Sequence, residues 1–174
     1  MAEQLELTEG TTRMVVNLPG GPVEIVRHRN AMQLISGHLQ PIVPVEGVRA
    51  VGEVEVLERL GDPDHVVADM RDPEWRLRGT IPGSVSVPFS SVTDHFETFG
   101  CTRTPGGWDC AAARGVVAFC NGPACPQSSI AIRRMVENGF PPEKILYYRG
   151  GMQDWIVLGL TTTAAASEAQ EDAT

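Results

Sequence analysis

The sequence has no basic cluster. Its 174 residues hold 14 Lys and Arg against 22 Asp and Glu, a formal net charge of -8. Nucleic-acid phosphates and anionic lipid surfaces are held mainly by clustered Lys and Arg, so neither a nucleic acid nor a membrane is expected as a partner. Long apolar runs are also missing, and none approaches the ~20 residues needed to cross a bilayer. The N-terminal MAEQLELTEG is acidic where an export signal would be basic and then apolar. A cytoplasmic protein is the expectation. The cysteines, Cys101, Cys110, Cys120 and Cys125, lack the paired C-x2-C spacing of a structural zinc site. With no cluster of metal ligands and no glycine loop of the nucleotide-binding type, no metal and no organic cofactor is expected. Without an export signal the cysteines are expected as thiols, Cys101 and Cys110 serving as small buried hydrophobes. His28, His38, His65 and His95 are scattered, and none stands at a recognisable spacing from a nucleophile.

What is present is the composition of one globular domain, 42% hydrophobic and 21% charged, with terminal extensions. Thr12 to Asn30 sets two apolar-rich runs about Pro-Gly-Gly-Pro and predicts a β-hairpin. Ala31 to Glu46, with Gly37, Pro41 and Pro44, reads as a linker. Gly52 to Leu60 places Val54, Leu57 and Leu60 near helical spacing, and GDP ends that helix before the strand HVVADM. SVSVPF supplies a second short strand through Val85 and Val87, and a helix is expected around Val92 to Phe99. TPGGWDC reads as a loop, leaving Trp108, like Trp75, in a predicted loop. VVAFC reads as a strand buried on both faces. Ser129 to Asn138 reads as a helix with Ile130, Ile132, Met135 and Val136 as its apolar positions, KILYY as a strand, and MQDWIVLG as a helix with Trp155 in the core. Strands alternating with helices specify a parallel sheet covered on both faces, with ligands bound beyond the carboxyl ends of its strands. The expected division is an N-terminal extension over 1–46, a domain over 47–162 and a disordered acidic tail over 163–174.

Cys120 ends the buried VVAFC run and opens a loop rich in Gly and Pro that leads into a helix. Backbone N–H groups and the positive helix end converge there, a field that favours thiolate over thiol. Cys120 is therefore the candidate nucleophile, and Asn121, Gly122, Pro123, Ala124, Cys125, Pro126, Gln127 and Ser128 form the candidate substrate-binding loop. No Lys or Arg lies between Val116 and Ile132, and Pro123 and Pro126 remove two N–H donors. Arg71 and Arg149, each following a predicted strand, are the candidates to bring positive charge to the rim, with a structural ion pair as the alternative. Cys125 reads either as a packing residue or as a thiol that resolves an oxidised Cys120.

Two stretches resemble the rhodanese-like domain family. VVAFCNGPACPQSS, its helix and KILYYRGGMQDWIVLGL look like the family's active-site half, and VVADMR with RGTIPGSVSVPF looks like its first half, together covering Val48 to Thr161. The resemblance implies a flavodoxin-like α/β fold with a five-stranded parallel sheet. It also implies a sulfurtransferase of the thiosulfate:cyanide type. Its loop cysteine, Cys120 by position, would take sulfane sulfur as a persulfide from a small-molecule or protein donor and pass it to a thiol acceptor. The sequence departs from the family at Thr80, where His is frequent, and at Gln127, where an Arg precedes the helix. The uncharged loop weakens the case for a dianionic donor such as thiosulfate. A dithiol redox module using Cys120 and Cys125 and a non-catalytic binding module are the alternatives.

Overall fold

The computed structural model describes residues 4–5, 7–28 and 37–164. Ten strands run in chain order: β1 (Gln4–Leu5), β2 (Arg13–Leu18), β3 (Gly21–His28), β4 (Arg49–Ala50), β5 (His65–Asp69), β6 (Val85–Ser86), β7 (Thr102–Thr104), β8 (Gly107–Asp109), β9 (Gly115–Phe119) and β10 (Ile145–Tyr148). The helices are α1 (Glu53–Arg59), α2 (Pro73–Leu77), α3 (Gln127–Glu137) and α4 (Gly151–Val157), with a 3-10 stretch over Phe89–Phe99. The expected five-stranded sheet is present in the order β4-β10-β9-β5-β6, each neighbouring pair parallel.

Side chains alternate across a strand, so a central parallel strand must be apolar on both faces. In β9, Val116 and Ala118 join the core under α3 and the 3-10 stretch, with Ile132, Met135, Phe96, Phe99 and Phe140. Val117 and Phe119 point the other way, to Val56 of α1 and Met152 and Trp155 of α4. The VVAFC run is thus a buried central strand, and its carboxyl end delivers Cys120 between the ends of β5 and β10.

α1 presents a different face from the one expected. Val56 is fully buried and Leu60 packs against the core, whereas Val54 and Leu57 are 64% and 48% exposed. The pair at i and i+4 wins over the i, i+3 series because the preceding chain enters over Val51, which packs beside Val56. The Glu55 carboxylate accepts from the Gly52 N–H at 2.9 Å and so fixes where the helix starts.

TPGGWDC is a hairpin rather than a loop. β7 and β8 pair antiparallel with Thr102 opposite Asp109 and Thr104 opposite Gly107. The next step outward in that register sets Cys101 opposite Cys110, and the two form a disulfide with Cα atoms 4.3 Å apart. This corrects the expectation of thiols at these positions. Both cysteines are nevertheless buried, as expected, in the core that Trp108 joins through Phe96. The three residues of β7 are all exposed, so no apolar alternation announces the strand.

The N-terminal hairpin forms as β2 and β3, and β1 adds a third antiparallel strand. Of the linker, 31–36 lie outside the described residues. Its later part lies on the domain: Leu39 N–H donates to Leu7 at 2.9 Å and Gln40 N–H to Pro123 at 2.8 Å. Thr163, at the start of the expected tail, bridges to Thr80, and 165–174 lie outside the described residues.

The disulfide closes a short loop and constrains the unfolded chain. Its removal by the double change Cys101→Ser, Cys110→Ser is expected to lower stability by roughly 2–3 kcal/mol. Urea denaturation followed by circular dichroism reads this, and an unchanged midpoint would show that core packing alone holds the hairpin.

Candidate active site

The loop after β9 is shaped by contacts that admit no side chain. Gly151 has φ +56, and a Cβ there would stand 2.2 Å from the Cys120 carbonyl oxygen. That approach lets the first turn of α4 satisfy the loop: Met152 N–H donates to Cys120 O at 3.0 Å and Gln153 N–H to Asn121 O at 2.9 Å. Gly122, at φ +154, lies against Gln153, where a Cβ would be 2.9 Å from that residue's Cβ. The chain then turns, with Cys125 N–H donating to Gly122 O at 2.9 Å, and enters α3 at Gln127.

Cys120 is 1% exposed. Ser128 Oγ donates to Cys120 Sγ at 2.9 Å. The Cys120 thiol in turn reaches the Cys125 carbonyl at 3.4 Å. Burial pushes the Cys120 thiol up. The bonds from Cys125, Ser128 and Gly122 outweigh burial and bring its pKa down to about 7 from an ordinary value of 9.0. The groups that favour the anion are N–H, O–H and S–H donors, not cations.

Cys125 is fully buried. Cys125 Sγ donates to Gln127 Oε1 at 3.7 Å. The neighbouring Cys120 sulfur, reinforced by burial, raises the Cys125 pKa far above the ordinary thiol range, while the backbone at Asn121 and Gln127 acts in the opposite direction. The other end of Gln127 is anchored, since Nε2 donates to Asp72 Oδ2 at 2.6 Å.

Arg71 and Arg149 are both engaged. Arg71 is 3% exposed and forks onto Asp69, Nε to Oδ1 at 2.8 Å and Nη2 to Oδ2 at 2.6 Å. It also donates to Gly79 O at 2.8 Å and to Asn121 Oδ1 at 3.2 Å. Its charge is therefore matched inside the fold, and it fixes the first residue of the loop rather than facing solvent at the rim. Asn121 Nδ2, left by this arrangement as the donor end of the amide, is buried with no hydrogen-bond partner. Arg149 Nε donates to Gln40 O at 2.8 Å while Gln40 N–H donates to Pro123 O, so this cation ties the linker across the loop. Gly37 backs onto Ala124, where a Cβ would be 2.6 Å from the carbonyl oxygen.

The sequence singled out neither Asp72 nor the donor role of Ser128. Thr80, noted only as a departure from the family, donates from Oγ1 to Asp69 Oδ2 at 2.7 Å and completes the buried network under Arg71. An acidic residue on each side of Arg71, Asp69 and Asp72, was the available signal.

A buried cysteine at the carboxyl end of a central parallel strand, followed by a tight loop that leads into a helix, defines an α/β protein with its candidate site at the strand ends. The description of the Rhodanese-like domain matches residues 53–157, more than half of the chain, and the chain belongs to that family. It is similar, at 24% identity over 117 residues, to an HTH-type transcriptional regulator of Mycobacterium tuberculosis, a match covering 67% of this chain and 46% of that protein. The chain thus spans about half the length of that relative. Among solved structures, a protein from Bacillus halodurans is similar with TM-score 0.54 and 18% identity, covering 67% of this chain and 77% of that one. A thiosulfate sulfurtransferase from Pseudomonas aeruginosa has TM-score 0.52 and 20% identity, covering 69% of this chain and 21% of that one. These likenesses show the fold.

Alkylation by iodoacetamide tests the electrostatics. The rate at Cys120 is expected to rise through pH 7 and level off above it, as thiol gives way to thiolate. Ser128→Ala removes a donor to the anion and is expected to move the midpoint upward by about one unit. A midpoint near 9 in the unaltered protein would mean that the donors do not act on the sulfur.

Proposed function

We propose that this chain carries sulfane sulfur as a persulfide on Cys120 and passes it to a thiophilic acceptor, without a metal or organic cofactor. The observation that carries this reading is a buried Cys120 at the carboxyl end of β9 whose sulfur accepts from Ser128 Oγ at 2.9 Å. The same donor that favours the thiolate favours the anion formed when a sulfur atom is added to it. The Cys120 thiolate attacks the sulfane sulfur of the donor, the donor's bond to that sulfur breaks, and the leaving group departs with the electron pair. An acceptor thiolate, or cyanide, then attacks the outer sulfur and regenerates Cys120.

The charge around the loop bears on the donor. Arg71 is neutralised by Asp69, and an arginine at position 127 would meet Asp72 before any substrate. A dianion such as thiosulfate therefore gains little here, and a persulfide donor of low charge, on a small molecule or a protein, fits better. Thiosulfate remains useful as a probe because its turnover releases sulfite.

Cys120→Ser is expected to reduce sulfite release from thiosulfate to the uncatalysed background while leaving the circular dichroism spectrum unchanged. The hydroxyl nearly matches the thiol in size but forms no persulfide. Cys125→Ala is expected to retain sulfite release, since loading needs one thiolate. Undiminished release by Cys120→Ser would remove Cys120 from the chemistry.

A further inference from the structure

Asp72 stands at the N-cap of α2, where a carboxylate ordinarily accepts from the helix's own first N–H groups. It makes no such bond. Its Oδ2 instead accepts from Gln127 Nε2 at 2.6 Å, 55 residues away in the chain. Gln127 opens α3 at the end of the sulfur loop. Its Oε1 accepts from Cys125 Sγ at 3.7 Å, and the next residue, Ser128, donates to Cys120 Sγ at 2.9 Å. A half-buried carboxylate is thus held at the junction of loop and helix. The cations at this end of the sheet are engaged elsewhere: Arg71 and Arg76 both pair with Asp69, at 2.6 and 3.5 Å, and Arg149 donates to Gln40 O. Among the described residues no Lys, Arg or His pairs with Asp72.

From this geometry we infer that Asp72 is a specificity-determining residue that disfavours doubly charged sulfur donors and sets the site for donors of lower charge. The inference rests on the persulfide reading above and names the residue that selects the donor at the same site. When the Cys120 thiolate attacks thiosulfate, the sulfur–sulfur bond breaks and sulfite leaves with the electron pair. Both negative charges of the donor therefore have to be brought up to the loop before the sulfur atom can pass. Gln127 and Ser128 bridge the Asp72 carboxylate to the Cys120 sulfur, a separation on the order of 10 Å, about one Debye length at 0.1 M salt. Repulsion over that distance scales with the charge of the donor, so Asp72 opposes loading from a dianion more than loading from a monoanion, without touching the reacting atoms. Gln127 is the other half of the device. Its neutral amide fixes the carboxylate and leaves the charge uncancelled, whereas a guanidinium in its place would cancel it.

The test compares thiosulfate with methanethiosulfonate, a monoanion of nearly the same size in which a methyl group replaces one oxygen. Both pass their sulfane sulfur to Cys120, releasing sulfite and methanesulfinate respectively, and cyanide as acceptor converts the outer sulfur from either into thiocyanate. The quantity read is the ratio of the two kcat/KM values within each protein, which does not depend on the active fraction. Asp72→Asn, whose amide oxygen still accepts from Gln127, is expected to raise the ratio of thiosulfate to methanethiosulfonate about five-fold at about 10 mM salt, a gain that shrinks at about 0.5 M salt. Asp72→Glu keeps the charge and is expected to keep the ratio of the unaltered protein. Gln127→Arg alone is expected to change the ratio little, because the guanidinium meets Asp72, and to raise it about ten-fold in the Asp72→Asn background, where the cation is free. An unchanged ratio in Asp72→Asn at low salt would overturn the inference and leave the carrier intact, as would an equal gain from Gln127→Arg with and without Asp72. If no form yields thiocyanate from either donor, the carrier reading fails and this inference fails with it.

Discussion

A buried thiolate is the constraint on which the architecture turns. Removing an anion from water is costly, and here the cost is offset by several neutral donors converging on one sulfur rather than by an ion pair. Donors can converge only if the backbone folds tightly around Cys120, which is why Gly122 and Gly151 occupy positions where a Cβ would collide with neighbouring atoms. The first turn of α4 takes up the Cys120 and Asn121 carbonyls, while the start of α3 supplies Ser128. Neither helix is placed by its own propensity. Both are held by the apolar faces they present to β9 and β10, so the core and the sulfur site are set by the same packing.

The cations nearest the loop act as fasteners. Arg71 binds Asp69, Gly79 and Asn121 at once, and Thr80 completes the carboxylate's shell. A buried pair of this kind stabilises only when its remaining donors and acceptors are filled, as they are here. Its effect on the site is indirect: it orients Asn121, whose unpartnered Nδ2 is left as a buried donor.

Much of this was legible in the sequence, and the rest was hidden for definable reasons. The run Val116 to Cys120 announced a doubly buried strand, and the Gly and Pro after it announced the loop, because both are local properties of the chain. The face of α1 was misread because Val54 and Leu57 match helical spacing as well as Val56 and Leu60 do; only the entry over Val51 decides between them. The β7–β8 hairpin was missed because its strands are exposed and short, and its disulfide was missed because compartment was used to judge the cysteines before their register was known. At the site, Cys120 was visible, but the Ser128 hydroxyl on its sulfur and the contact of Gln127 with Asp72 depend on loop dihedrals that no spacing reveals. Arg71 stood out as a charge, and Asp69, two residues before it, was the legible sign of its neutralisation.

The linker also proves to be part of the site's architecture. Gln40 is 4% exposed, its N–H capping Pro123 and its carbonyl accepting from Arg149, so one residue of the extension satisfies groups on both sides of the cradle. Pro123 itself can donate nothing, and the carbonyl it exposes on the outer surface of the loop would otherwise be left to solvent. Gly37 fits at this crossing because a side chain there would strike the Ala124 carbonyl. The loop is thus held on its inner side by the sulfur network and by α4, and on its outer side by the strap from the N-terminal extension. A loop held from both sides keeps the Ser128 hydroxyl on the Cys120 sulfur, as a donor that acts only over hydrogen-bonding distance requires.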